Sequence, residues 1–362
     1  MMMQLDELTG AVVDSDGIMW HRGRPAQEYR EFVAGRALVP LPDWQLLTIC
    51  GPDRLTWLHA LSSQHLSNLV PGQSSETLLL SPNGHITAAL ALVDDGEQLS
   101  VFVERAIAPE VVNHLEKMRF AARITISASN DHVIALAGSG RDNPPIDPQA
   151  IWVDPWPHLP GGARYTPAGV EPAATHIALA AVSPAHWQEY LGAHGETIVG
   201  ALAFEAVRIA AWRPRYTREV DERTIPPELD WLRTAVHLDK GCYCGQETIA
   251  RVVNLGKPPR RLVLLHLDGS AEHLPEHGAQ VMWKTRQVGT ITSAVRHPEL
   301  GPIALALVKR NLPADAPLLV DEVAAAQEII VNPSGESDAR PASRPGAELR
   351  GVRRGLQRPT MR

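Results

Sequence analysis

The sequence predicts an α+β protein made of two or three structural units, the last of which is a small antiparallel β-barrel. Three observations support this prediction. The chain has 362 residues, of which 44% are apolar, enough to bury more than one core. Short apolar runs alternate with turn signals and helical patterns as far as about residue 256. After residue 257 only short, closely spaced strand patterns follow, which is typical of a barrel.

The region up to about residue 127 is predicted to contain an antiparallel meander and two helices. Residues 1–30 give a weak, mixed pattern and are interpreted as an N-terminal arm. Asp53, in a Gly-Pro-Asp turn, is positioned to cap a helix with a leucine-rich face. Turn signals at 81–84 and 94–96 separate strands that are expected to pair. The predicted strands are residues 44–49, 77–80, 86–93, 99–103 and 122–127, and the second helix covers about 109–118.

The second half begins with an irregular segment and ends in the barrel and a tail. Eight prolines within residues 141–172 predict a long surface excursion with little regular structure. A strand over 177–181 and helices starting near Ser183 and Thr197 follow it. Residues 332–362 are rich in Pro, Gly, Ser and Arg and are predicted to be disordered. The barrel strands are predicted over residues 262–267, 280–283, 287–292, 303–308 and 317–320.

Composition narrows the class of protein. The three cysteines, Cys50, Cys242 and Cys244, are too few for a disulfide framework, and no secretory leader opens the sequence, so we expect a cytoplasmic protein. The longest apolar runs, such as residues 303–308, are far shorter than the roughly 20 residues that cross a bilayer. The formal net charge of -7 disfavours a broad nucleic-acid-binding surface. Neither a membrane nor a nucleic acid is therefore a predicted partner.

The most informative segment is the run Lys240-Gly-Cys-Tyr-Cys-Gly-Gln-Glu247. Its two glycines permit a compact loop, and residues 247–253 are typical of a helix. A thiol beside Lys240 and a helix start is expected to have a lowered pKa and thus more of the nucleophilic thiolate. An isolated cysteine is more often a buried, structural residue. The polar, glycine-bounded surroundings favour the reactive interpretation, and Cys242 is the leading candidate.

Metal binding is weighed for two places in the chain. A closed zinc site is not predicted at the two cysteines, because a Cys-x-Cys pair supplies two of the four ligands that structural zinc needs. Transient ligation together with a partner protein stays open. His273 and His277 have a metal-like spacing, but Pro275 opposes the helix that would align them. That segment is interpreted as a solvated loop.

Taken with Ala250-Arg251, the run from Lys240 to Glu247 closely resembles the K-G-C-Y-x-G-Q-E signature of the YgfZ family. The resemblance extends over about residues 40 to 325. Further segments resemble, in order, landmarks that YgfZ proteins share with the glycine-cleavage T-protein: Gly51-Pro-Asp-Arg-Leu-Thr-Trp-Leu58, Ser81-Pro-Asn-Gly84, Val207-Arg-Ile209 and Pro226-Pro-Glu228.

This resemblance implies a three-domain cloverleaf around a central hole of folate size. It implies that the protein binds tetrahydrofolate or a one-carbon derivative. It also implies a role in the assembly or repair of iron-sulfur enzymes, with those enzymes or their assembly machinery as partners. The implied domains are a first folate-binding domain of residues 1–50 and 130–256, a second α+β domain of 51–129, the barrel of 257–331 and the tail of 332–362.

The resemblance and side-chain chemistry together nominate site residues. Cys242 is the functional thiol, with Lys240 beside it. Glu228 is a candidate partner for the pterin amino group, and a loop acid in contact with water is the alternative. Arg208 and Arg251 are candidates for the folate carboxylates, or else form internal ion pairs. Trp212 either stacks on the ring or belongs to the core. The remaining predicted cofactor-binding residues are Tyr243, Gly245, Gln246 and Glu247.

The alternative function is folate-dependent aminomethyl or methyl transfer, as in the T-protein. That family has an acidic residue after its turn, in a pattern like G-x-I-x-D-D. Here the run is Gly84-His-Ile-Thr-Ala-Ala89, and alanines cannot exchange a proton or stabilise charge. The T-protein's pterin-binding Glu after Arg-Ile is also replaced, by Ala210-Ala211. Both departures disfavour a true aminomethyltransferase, and the second leaves the folate pose open.

Overall fold

A computed structural model describes residues 3–270 and 273–342, which form an α+β architecture of three sheets and a closed barrel. The strands are β1 (Val12–Val13), β2 (Met19–His21), β3 (Val39–Pro40), β4 (Trp44–Cys50), β5 (Ser74–Leu80), β6 (Ile86–Asp94), β7 (Gln98–Glu104), β8 (Thr125–Ala128), β9 (His132–Ala137), β10 (Ala150–Val153), β11 (Ile177–Val182), β12 (Arg260–Leu267), β13 (Gln280–Trp283), β14 (Arg286–His297), β15 (Gly301–Lys309), β16 (Leu318–Val320) and β17 (Val323–Ile329).

Nine helices connect or cover the strands in the described part of the chain. In the same residues they are α1 (Pro25–Val33), α2 (Arg54–Leu61), α3 (Ala108–Lys117), α4 (Ser139–Asp142), α5 (Pro184–His194), α6 (Ala201–Ala210), α7 (Tyr216–Glu219), α8 (Leu232–Ala235) and α9 (Gln246–Asn254). Within the described chain, no helix combines the length and hydropathy that a bilayer crossing needs. The mixture of helices and antiparallel sheets confirms the predicted α+β class.

A five-stranded antiparallel sheet with the order β5-β6-β7-β4-β8 contains the predicted meander. Strand β6 is apolar along nearly its whole length because both faces of this sheet are covered. Ala88 and Leu90 face a core shared with α2 and α3, whereas Ala91 and Val93 face a core shared with the four-stranded sheet β10-β11-β9-β3. The five-stranded sheet therefore forms a wall between two cores.

The predicted cap of α2 is wrong. Asp53 precedes the helix, but its side chain accepts no hydrogen bond from the helix backbone. It accepts hydrogen bonds from the backbone and guanidinium of Arg123, the shortest at 2.7 Å, and these lower the pKa of Asp53 to about 2. The charged guanidinium of Arg123 binds this carboxylate more strongly than the helix N–H groups do.

The interpretation of the N-terminus as an arm is also wrong. Residues 12–33 contain the β1-β2 hairpin and α1, and Phe32 on α1 is fully buried. Pro25 stands in the first turn of α1, where its missing N–H costs no hydrogen bond. The Glu28 carboxylate accepts a hydrogen bond of 3.0 Å from the backbone N–H of Gly200, which ties α1 to the start of α6. Strands of two or three residues carry too little periodicity to be recognised.

The proline-rich segment 141–172 has little regular structure and much of it is exposed, as predicted, but its aromatic side chains are inserted into the core. Strand β10 is its longest regular element and pairs with β11. Trp152, Trp156 and Tyr165 are buried. Prolines prevent regular structure here, while the aromatic rings bury enough apolar area to draw the segment into the core.

The closed antiparallel barrel has the strand order β12-β15-β14-β13-β16-β17, which confirms the predicted C-terminal barrel. Its strand β17 was not predicted, because Val-Ala-Ala-Ala-Gln-Glu-Ile contains few large apolar side chains. Residues 332–342, predicted to be disordered, contact the body instead. Asn332 N–H donates to Tyr165 O at 2.7 Å, and Arg164 pairs with Asp338 at 2.8 Å. The rest of the predicted tail lies outside the described residues.

Candidate functional site

A cavity with about 570 Å³ of space between its walls, including the part open to solvent, lies between the five-stranded and four-stranded sheets, beside the C-terminal end of α6. Its walls are largely aromatic and apolar. Three indole rings line it, together with Phe204 and Tyr216, and the indoles are Trp44, Trp152 and Trp231. Walls of this composition are typical of sites for small organic ligands.

The cavity also contains arginines, and each one is bound to carboxylates. Arg213 lies 2.6 Å from Glu76 and 3.1 Å from Asp154. Arg215 lies 2.7 Å from Asp43 and 2.9 Å from Glu104. Because these carboxylates stand on or beside different strands, the ion pairs join the walls of the cavity to one another.

Arg208, a predicted folate ligand, is the third of these arginines. It lines the cavity, but only 1% of its side chain is exposed, and it pairs with Glu205 at 2.5 Å and Glu219 at 3.1 Å. The alternative of an internal ion pair is therefore what the structure contains. Burial raises the pKa of Glu205, but Arg208 and Arg215 outweigh it and bring that pKa down to about 2. Ser293 of the barrel donates to Glu219, which extends the network to β14.

Two other predicted folate ligands do not line this cavity. Glu228 is fully buried and accepts hydrogen bonds from the side chain of Arg260, one of them at 2.9 Å, and from the backbone N–H of Ile225. Trp212 is buried in the core formed by Trp231 and its neighbours. Trp212 therefore has the core role that was its alternative. For Glu228 the alternative of an acid in contact with water is wrong, because the side chain is buried against Arg260.

The loop that contains Cys242 lies against the turn of residues 81–84. Gly245 has a φ of +82°, and a Cβ atom there would lie 2.6 Å from the carbonyl oxygen of Ser81. A side chain at Gly84 would in turn meet Thr248 on α9. Two segments that carry the sequence resemblance thus touch, and both require glycine at the contact. Cys242 and Cys244 are exposed on this loop.

Lys240 anchors the loop to the end of α2. Its ammonium donates to the carbonyl oxygens of His59 and Ser62 and lies 4.9 Å from the centre of the Tyr243 ring. Only 6% of Lys240 is exposed, and this burial lowers its pKa to about 8. Cations bind favourably at the carbonyl end of a helix. The geometry gives Lys240 a positioning role toward the loop.

Of the other predicted loop residues, two make supporting contacts and two are exposed to solvent. Tyr243 packs against the core around Trp231, and the Gln246 side chain donates to the carbonyl of Lys240 at 3.5 Å. Glu247 and Arg251 are exposed. Among the described residues, none between 240 and 251 lines the 570 Å³ cavity. The reactive candidate and the cavity are therefore separate places joined by one core.

Histidines surround the base of this loop. The ring of His59 lies 4.7 Å from that of His65, which lies 5.4 Å from His237. Burial, with a contribution from Lys240, lowers the pKa of His59 to about 4. In the described part of the chain no group of three His, Cys, Asp or Glu side chains is arranged to hold a metal ion. His277 instead contacts the carbonyl of Thr292 at 2.8 Å.

Sequence reasoning missed most residues that line the cavity. Its charged residues come from β5, β7, the segment after β10, α6 and the segment after α6, so no contiguous motif indicates them. One signal was present in the run Trp212-Arg-Pro-Arg-Tyr216. Two arginines directly after the apolar helix α6 are unusual, because a segment next to a buried helix is expected to be buried as well. Buried arginine in turn requires buried carboxylates as partners.

The fold belongs to a known class. The family model described as the glycine cleavage T-protein C-terminal barrel domain matches residues 260–345. The glycine cleavage system aminomethyltransferase T from Bartonella henselae has the same fold, with a TM-score of 0.68 and 18% identity, over 89% of this chain and 93% of that one. The chain is thus T-protein-like.

Two kinds of relative stand within this class. The chain is 28% identical over 288 residues to an aminomethyltransferase of Rippkaea orientalis, covering 72% of this chain and 75% of the relative. It is 24% identical over 300 residues to the tRNA-modifying protein YgfZ of Yersinia pseudotuberculosis, covering 78% and 87%. The similarity supports a T-protein-like family. The choice between the activities of the two kinds of relative depends on the residues of the site.

Proposed function

We propose that this protein binds tetrahydrofolate or a one-carbon derivative in the 570 Å³ cavity and supports the assembly or repair of iron-sulfur clusters through Cys242. The observation that carries the proposal is the exposure of Cys242 on a loop that Lys240 and Gly245 hold in place. Such a thiol reaches solvent and a partner protein, whereas structural cysteines are usually buried. The loop's likeness to the YgfZ signature is the reason for proposing iron-sulfur clusters as the target of this thiol.

The cavity supports the folate part of the proposal. A pterin ring is flat and carries hydrogen-bonding groups on its edge, which suits a space lined by Trp44, Trp152 and Trp231. The core around Trp231 also contains the Tyr243 contact, so a ligand in the cavity and the Cys242 loop share one packed cluster. We expect occupancy of the cavity to stiffen this cluster and steady the loop.

The thiol supports the iron-sulfur part. A thiolate is the form of cysteine that ligates iron, and its proton passes to solvent when it binds. The cluster is the partner's and is the substrate of the proposed reaction. An exposed loop with two thiols is suited to brief contact with an acceptor or donor protein. Its two sulfur ligands are too few for a closed metal site of its own.

Folate-dependent aminomethyl transfer is the second candidate, and the relatives named aminomethyltransferase favour it. Ala89 lines the cavity and Ala88 is buried in the opposite core, at the positions where the T-protein family has its acidic pattern. Neither alanine can take part in proton transfer. We therefore expect binding of folate without appreciable aminomethyl transfer.

Complementation of a strain that lacks its own protein of this type tests the proposed function. We expect Cys242→Ala to abolish the activity of iron-sulfur enzymes that the wild-type gene restores. Cys50→Ala is the matched control, because Cys50 lies on β4 and is only half-exposed. Immunoblotting checks that both variants accumulate equally. Full rescue by Cys242→Ala would remove the role of the thiol.

A further inference from the structure

Two buried hydrogen-bond donors at the cavity have no partner among the residues that the structure describes. They are Trp44 Nε1 and Arg215 Nε, and both residues line the cavity. The guanidinium of Arg215 lies 5.5 Å from the centre of the Trp44 ring, so the two side chains are neighbours. A buried donor without an acceptor is costly and rare in folded proteins. Two of them side by side call for a ligand that supplies the acceptor.

The guanidinium of Arg215 is fixed by its other donors. Its Nη1 donates to Glu205 at 2.9 Å, and its Nη2 donates to Asp43 at 2.7 Å and to Glu104 at 2.9 Å. A guanidinium is planar, so these hydrogen bonds also set the direction of its Nε–H. Arg215 cannot turn to another protein acceptor without breaking them.

Nearby carboxylates are already engaged. Besides Arg215, Glu104 accepts hydrogen bonds from the backbone and hydroxyl of Thr217. Glu76 accepts from Arg213 and from the hydroxyl of Thr234. Neither carboxylate accepts a hydrogen bond from Trp44 Nε1 or Arg215 Nε, so a bound molecule is free to supply the acceptor.

The charge of the surroundings selects a neutral acceptor. The three arginines of the cavity pair with twice as many acidic side chains, namely Asp43, Glu76, Glu104, Asp154, Glu205 and Glu219. A ligand carboxylate would meet this excess of negative charge in a poorly solvated place. A carbonyl oxygen on a flat ring meets no such penalty and accepts two hydrogen bonds.

We infer that Trp44 Nε1 and Arg215 Nε bind a ring carbonyl oxygen of the ligand, and that they select a carbonyl over an amino group at that ring position. The inference rests on the proposed function for the identity of the ring as a tetrahydropterin, whose 4-oxo group is such a carbonyl. Both donor nitrogens are buried by protein atoms, so the proposed contact requires the half-buried Trp44 indole to turn toward the ligand. The glutamyl carboxylates are then bound away from these arginines.

A pair of ligands that differ at one ring substituent tests this inference. Tetrahydrofolate carries the 4-oxo group, and tetrahydroaminopterin, prepared by reduction under argon, carries a 4-amino group in its place. Binding of each is measured by calorimetry to wild type and to Trp44→Phe, which removes the N–H but keeps an aromatic ring. The control is Trp152→Phe, because Trp152 lines the same cavity but its Nε1 donates to Ser75 O at 2.7 Å.

We expect wild type to bind tetrahydrofolate about 10- to 100-fold more tightly than the 4-amino ligand, and Trp44→Phe to lose most of that preference. Trp152→Phe keeps the preference even if both affinities fall. If wild type binds both ligands equally, the inference is wrong while folate binding stands. If wild type binds neither ligand, both the inference and the proposed function fail.

Discussion

The cavity and the Cys242 loop differ in how their polar groups are held. Around the cavity, arginines and carboxylates are buried and bound to one another in a network that reaches from β5 to the barrel. On the loop, the thiols are exposed, and the backbone is held by one buried lysine and by glycines that fit against a turn. The difference suits the two proposed roles, binding in the rigid cavity and reaction at the accessible loop, and the core around Trp231 and Tyr243 connects the two places.

The buried network is expected to give the largest effect on stability. Arg213→Met leaves Glu76 and Asp154 buried without their cation, and should lower the free energy of unfolding by about 3–5 kcal/mol. Urea unfolding followed by circular dichroism measures it. Arg123→Ala removes the exposed partner of Asp53 and should change little. Similar losses of unfolding free energy in the two variants would contradict the expectation that the buried network stabilises the protein more than an exposed ion pair does.

The fit of the loop against the turn is expected to give the next effect. Gly245→Ala places a Cβ atom against Ser81 O at a positive φ, and should cost about 1–3 kcal/mol of stability. Gly241→Ala is the matched control on the same loop, because nothing lies within 4 Å of its added Cβ. The Gly245 variant should also fail in complementation. Equal behaviour of the two variants would contradict the proposed anchoring.

Acid should weaken the base of the loop through His59. Its pKa is lowered from 6.5 to about 4 by burial first and Lys240 second, so the unfolded chain binds the proton more readily. Stability is thus fully present above pH 6.5 and is lost as the pH falls toward 4. Its Nδ1 also accepts the Leu66 N–H, which protonation would break. Thermal unfolding of His59→Gln should depend less on pH in this window, whereas exposed His114→Gln should behave like wild type.

The smallest effect is expected at the second thiol. Cys244 is exposed like Cys242, but it stands where the YgfZ signature allows several residues. Cys244→Ala should therefore reduce complementation only mildly. If Cys244→Ala is as severe as Cys242→Ala, the two thiols act as a redox pair through a disulfide.

Sequence reasoning found the loop and missed the cavity for a physical reason. The loop is a contiguous segment, so Gly245 and Cys242 could be identified together from their spacing. The cavity is assembled from Glu76, Asp154 and Arg213, which are far apart in the chain and meet only after the sheets pack. Each of them alone is most simply read as a solvated surface charge.

The secondary-structure predictions show the same contrast between features carried by one segment and features that depend on packing. Strands β4, β6 and β7 were predicted because long apolar runs stand between clear turns. Strand β17 and the β1-β2 hairpin were not, because alanine-rich or very short strands depend on their neighbours for stability. For Arg208 and Trp212 the structure contains the alternative roles, an internal ion pair and a place in the core. For Glu228 it contradicts the water-exposed alternative, because the burial of this side chain against Arg260 depends on packing.

Titration of the purified protein with tetrahydrofolate tests the central claim most directly. Because three tryptophans line the cavity, we predict saturable quenching of tryptophan fluorescence. Cys242→Ala should bind with the same Kd to within about twofold, since the thiol does not line the cavity. An absence of saturable quenching in the wild-type protein would contradict folate binding in this cavity and, with it, the account given for the site.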